Sequence, residues 1–104
     1  MTAPRLDTLK QFLRQDPNDP FNHYAIALEY VSTEHYSEAI TKFQEVIKLD
    51  ANYVPAYHQL GLLFARLGKK NDATKVFERG IQIASLVRDT HAQSEMQEAM
   101  DELE

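Results

Sequence analysis

The feature that most constrains the fold is an internal repeat of 34 residues. Shifting the chain by 34 positions, without any gap, keeps both identities and apolar positions in register. A repeat of this length is typical of units that cannot bury their apolar faces alone and that stack on one another. Identical pairs include Asp16 and Asp50, Asn18 and Asn52, Leu28 and Leu62, Ala39 and Ala73, and Phe43 and Phe77.

Each 34-residue unit divides into two predicted helices. Asp19 is a predicted N-cap, and Pro20 suits the first helical position because its missing N–H costs nothing there. His23, Ile26, Ala27 and Tyr30 then follow helical spacing as a packing stripe, in which we expect His23 to be a core residue. The predicted helices run from about Pro20 to Thr33, from about Ser37 to Leu49, from the residue after Asn52 or Tyr53 to about Leu67 with Gly68 ending it, and from Asn71 or Asp72 onward.

The segments that flank the two units are also predicted to be helical. Residues 4–15 place Leu6, Leu9, Phe12 and Leu13 in register with the second helix of the first unit, so they resemble half of a further unit. Residues 89–103 lose the repeat pattern but keep one apolar stripe opposed by carboxylates, which is the pattern of a capping helix. That stripe consists of Ala92, Met96, Ala99, Met100 and Leu103.

The second unit resembles the tetratricopeptide repeat in the motifs Tyr57-x-x-Leu60-Gly61-x-x-Phe64 and Ala73-x-x-x-Phe77. Gly80 and Ser85 depart from the alanine and proline that are usual in the family. The resemblance implies an all-α fold, an α-solenoid of antiparallel helix pairs with about six helices in a right-handed superhelix. It implies one domain over residues 1–104, made of a half-repeat helix (4–15), repeats 20–53 and 54–87, and a capping helix (89–103).

The first helix of each unit carries a second apolar stripe, rotated by about one residue from the packing stripe. In the tetratricopeptide family these positions line a concave groove that holds a partner. The alternative is that the stripe is core, or is covered by a second copy of the chain. The resemblance assigns to the groove Phe21, Tyr24, Ala25, Leu28, Pro55, His58, Gln59, Leu62 and Arg66.

The partner implied by the resemblance is another protein, which presents a peptide segment or an amphipathic helix. His58 and Arg66 predict a carboxylate at one end of that partner. Family members that grip acidic chaperone tails use lysine and asparagine where this chain has Tyr24 and Leu28, so we do not expect that activity. The alternative function is a structural, self-associating unit, such as a homodimer formed through the edge around Leu6, Leu9 and Phe12.

Charge and composition exclude several other classes of function. Residues 1–87 sum to zero charge and residues 88–104 to -5, counting histidine as neutral, so there is no basic stripe for nucleic acid. No apolar run approaches a membrane span. The four histidines lack metal-binding spacing, and no phosphate loop or nucleophile motif is present. We therefore predict no enzyme activity, metal or cofactor, and, without cysteines or a signal sequence, a cytoplasmic location.

Overall fold

The computed structural model describes residues 3–103, with their side chains from Arg5 onward. This part of the chain forms six α-helices and divides into two compact units, one ending at Asp50 and the other beginning at Ala51. The prediction of an all-α, six-helix repeat fold is confirmed. The helices are α1 (Ala3–Gln15), α2 (Pro20–Ser32), α3 (Tyr36–Leu49), α4 (Val54–Arg66), α5 (Lys70–Leu86) and α6 (Thr90–Asp101).

In the first unit, α2 packs against α3, and α1 packs against α2. The Asp19 side chain accepts a hydrogen bond from the Phe21 N–H at 3.0 Å, so the predicted N-cap is confirmed. His23 is buried, and its Nε2 lies 2.7 Å from the Pro17 carbonyl oxygen, as expected of a core histidine with a hydrogen-bond partner. The fully buried apolar side chains of this unit are Ile26, Ala27, Ala39, Phe43 and Val46.

In the second unit, α5 packs against both α4 and α6. Gly61 lies directly against the Phe77 ring, so that a Cβ at this position would be 2.6 Å from Phe77 Cδ1. The small residue at position 61 therefore lets α4 and α5 approach closely. Gly80, one turn after Phe77, likewise allows a close approach of α6, since a Cβ there would lie 2.6 Å from Met96 Sδ.

Three of the turns between helices share one backbone conformation. Glu34, Gly68 and Arg88 have φ of 63°, 76° and 63°, and each directly follows the C-cap residue of a helix. The next residue then donates its N–H to a carbonyl of the last turn, as Lys69 does to Phe64 at 2.8 Å, which is the Schellman arrangement. Gly68 ends α4 as predicted from the sequence.

The predicted starts of two helices were wrong by one or two residues. The structure begins α5 at Lys70, before Asn71 and Asp72, and begins α3 at Tyr36. The reason lies in the preceding turns, which direct the chain straight into the next helix, so that Ala73 already donates its N–H to the Lys69 carbonyl at 2.9 Å. No side-chain cap is used at either start, and a search for Asn or Asp therefore misplaces it.

Candidate functional site

The second stripe of α2 is partly exposed. Phe21 is 58% exposed and Leu28 37% exposed, while Tyr24 and Ala25 are partly buried. The Tyr24 ring contacts the buried Phe43 ring, with centroids 5.9 Å apart, so this side chain also contributes to the core. The four residues share one face of α2, and the apolar surface that they leave exposed is chiefly that of Phe21 and Leu28.

The second stripe of α4 repeats this pattern. Leu62, the repeat equivalent of Leu28, is 41% exposed, whereas Leu60 and Leu63 on the same helix are only 2% and 3% exposed. Pro55 and Arg66 are exposed, and His58 and Gln59 are partly buried. A leucine left exposed at the same repeat position in both units is a property of the repeat and not of one helix.

A carboxylate of α6 lies beside the α4 stripe. Glu95 Oε1 is 4.0 Å from His58 Nδ1, and Glu95 Oε2 is 3.3 Å from Nε2 of His91, one turn earlier on α6. Sequence reasoning missed this contact because it placed the carboxylates of residues 89–103 opposite the apolar stripe of the predicted helix. The available signal was the i, i+4 spacing of His91 and Glu95, which puts both on one side of α6.

A second carboxylate was also missed. Glu29 is buried in α2, and its Oε1 is 3.2 Å from Arg5 Nε of α1. The same repeat position in α4 is the buried Leu63, so the 34-residue register already marked position 29 as a core position. This ion pair joins α1 to α2 within the first unit.

The outer part of α1 is less well covered than its repeat equivalent. Phe43 and Val46 of α3 are fully buried. At the same repeat positions in α1, Leu9 is only partly buried and Phe12 is 51% exposed. In α3 these positions pack against the first helix of the same unit.

Two other kinds of feature are absent from the part of the chain that the structure describes. No three His, Asp or Glu side chains there lie together in a way that could hold a metal ion. No helix within residues 3–103 is long and apolar enough to cross a membrane.

Family models match most of the repeated region. A TPR repeat model matches residues 27–68, and a tetratricopeptide repeat model matches residues 54–85. The bimA protein of Emericella nidulans is 31% identical over 78 residues, which are 72% of this chain and 10% of bimA. This chain therefore spans about a tenth of the length of that relative.

Solved structures agree with the family models. A tetratricopeptide repeat domain protein from Salinibacter ruber is 36% identical, with a TM-score of 0.80 over 86% of this chain and 90% of that one. The TPR2B domain of yeast Sti1 has the same fold at 15% identity, with a TM-score of 0.89 over 94% of this chain and 78% of that one. The chain belongs to the tetratricopeptide-repeat family.

Proposed function

We propose that this chain is a protein–protein interaction module that binds a peptide segment or amphipathic helix of another protein through the exposed stripes of α2 and α4. The observation that carries the proposal is the exposure of Leu28 and Leu62 at one repeat position. Each exposed leucine adds apolar surface to its own helix, which is favourable to bury against a partner. The concave groove implied by the family resemblance stays part of this proposal, as does a cytoplasmic location.

Other proteins of this fold have been solved with bound peptides. The TPR2B domain of yeast Sti1 was solved in a complex with pHsp70, and the first TPR of Spaghetti was solved with the HSP90 peptide SRMEEVD. At 15% and 21% identity, these structures support the use of the fold for peptide binding and do not identify a partner here. Tyr24 and Leu28 favour an apolar partner over such an acidic peptide.

The test is a comparison of charged substitutions on one helix. We expect Leu62→Asp, and Leu28→Asp in α2, to keep the melting temperature within a few degrees, because their side chains already reach water. Leu60→Asp is the matched control, and we expect it to unfold the protein because an unpaired buried charge costs several kcal/mol.

Binding is measured with a labelled, uncharged amphipathic peptide of about 18 residues, or five helical turns, with leucines at i, i+3, i+4 and i+7. We expect Leu28→Asp and Leu62→Asp each to weaken its binding about tenfold, since each removes an apolar contact and buries a charge. If both variants unfold, the stripes are core and the proposed site is wrong. If both fold and bind normally, the partner does not use these stripes.

A second candidate function is self-association through α1. The exposure of Phe12 and Leu9, at positions that are buried in α3, favours it. A homodimer formed this way predicts a molecular mass that rises with concentration in sedimentation equilibrium. We expect Phe12→Asp to abolish that rise, and a mass that stays monomeric at every concentration would eliminate this alternative.

A further inference from the structure

We propose that the α4 stripe accepts an amphipathic segment whose apolar face is flanked by lysine or arginine, and that Glu95 of α6 selects this positive charge. The inference rests on the proposed function and specifies the chemistry of the partner at α4. It depends on the contact between α6 and α4, both of which lie in the second unit.

Glu95 lies where a ligand on the α4 stripe would meet it. Its carboxylate is 4.0 Å from His58 Nδ1, and His58 is one turn from Leu62, so the three side chains lie in a row across the two helices. The Glu95 side chain is still 44% exposed, which leaves its carboxylate open to a group from outside.

More negative charge follows Glu95 along α6. Glu98 and Glu102, three and seven residues later, share its side of the helix by helical periodicity, and both are exposed. From Thr90 to Asp101, α6 contains three carboxylates and no lysine or arginine. A cation flanking a segment bound on α4 would therefore be attracted to α6 along more than one turn.

Helix α4 itself does little to offset this charge. Its sequence contains one residue among Asp, Glu, Lys and Arg, which is Arg66 in the last turn, eight residues from His58. Arg66 already has an interaction partner within the structure. The first two turns of the stripe, from Pro55 to Leu62, are thus apolar or uncharged apart from His58, and they lie beside the Glu95 carboxylate.

The positive charge proposed for the partner is the opposite of the charge predicted from the sequence. His58 and Arg66 predicted a partner carboxylate, but a carboxylate placed at His58 would also face Glu95. Two like charges at such a distance repel, and like-charge juxtaposition is a common means of rejecting the wrong partner. An acidic segment is therefore disfavoured at α4, and a basic one is favoured.

The experiment uses three versions of the labelled leucine peptide, with glutamine, lysine or glutamate at the positions that flank the leucines. Affinity for the intact chain is measured by fluorescence anisotropy at low salt. We expect the lysine peptide to bind at least about tenfold tighter than the glutamate peptide, because several weak pairs add together. We expect Glu95→Gln to weaken the lysine peptide about two- to fivefold and to leave the glutamine peptide unchanged.

Two controls separate this effect from general attraction to an acidic chain. Glu78→Gln, on an exposed position of α5, removes the same charge elsewhere and should leave all three affinities unchanged. Leu62→Asp adds a negative charge, so general attraction predicts tighter binding of the lysine peptide, whereas docking on the α4 stripe predicts weaker binding.

The possible outcomes distinguish a failure of the charge selection from a failure of the proposed function. Equal binding of the lysine and glutamate peptides, or equal effects of Glu95→Gln and Glu78→Gln, overturns the charge selection and leaves the proposed function standing. Failure of the glutamine peptide to bind, or its unchanged binding to a folded Leu62→Asp variant, overturns the proposed function at α4 and the charge selection with it.

Discussion

The first and last helices, α1 and α6, complete their units in different ways. In α1, Leu9 and Phe12 keep the repeat register but remain partly exposed, and an ion pair between Arg5 and Glu29 joins the helix to α2. In α6, Met96 is fully buried beside Gly80 of α5. The apolar stripe of α1 is thus left partly exposed, whereas that of α6 has a side chain packed fully against α5.

The difference comes from the register of α6. Met96 stands at the repeat position of Leu28 and Leu62, which are exposed, whereas Ser94 stands at the position of the buried Leu60. The apolar stripe of α6 therefore follows the second stripe of α4, with Ala92 and Met96 at the repeat positions of His58 and Leu62. The positions of α6 that match the packing stripe of α4 are polar, as Ser94 is at the position of Leu60.

The largest expected effect contrasts one side chain from each of these helices. Met96→Ala should lower the free energy of unfolding by about 2–5 kcal/mol, because it leaves a cavity next to Gly80. Phe12→Ala, on a half-exposed side chain, should cost about 1 kcal/mol. Urea denaturation followed by circular dichroism measures both.

If both variants lose the same free energy of unfolding, the proposed difference in packing between α1 and α6 is wrong. A large loss for Phe12→Ala that depends on protein concentration would instead mean that a second copy buries Phe12. Met96→Leu is the control for the last helix, because it preserves apolar volume and should cost less than about 1.5 kcal/mol.

Much of the fold could be predicted from the sequence because the repeat supplies two independent copies of each signal. Asp19, His23 and Gly68 were assigned correctly, since capping, core spacing and a glycine turn each have local chemical causes. Helix starts without a side-chain cap, as at Lys69, gave no such signal. Apolar periodicity predicts which residues of a helix are buried. It does not predict where a helix starts when the preceding turn is closed by backbone hydrogen bonds alone.

The charged part of the candidate site was less predictable. Glu95 reaches His58 because α6 is rotated out of the repeat register, and a sequence aligned by its repeat assigns Glu95 to the position of Gly61. Glu29 is buried because Arg5 comes from a separate helix. Both contacts depend on how two helices pack, and the pattern within either helix does not contain that information.

The smallest expected effect concerns the turn that leads into α6. Arg88 adopts φ of 63°, which costs a residue with a Cβ roughly 1 kcal/mol or more, whereas Gly68 adopts the same conformation without that cost. Arg88→Gly should therefore raise the free energy of unfolding by about 0.5–1 kcal/mol, after the greater freedom of glycine in the unfolded chain is subtracted. Arg88→Ala is the matched control and should give no gain, because alanine keeps the steric conflict.

Glu34→Gly, with the same φ of 63° in the first unit, should show a similar gain. Urea midpoints of the three variants sharpen the comparison: a gain at Glu34 without one at Arg88 would show that α6 is held by Met96 packing and gains nothing from a less strained turn.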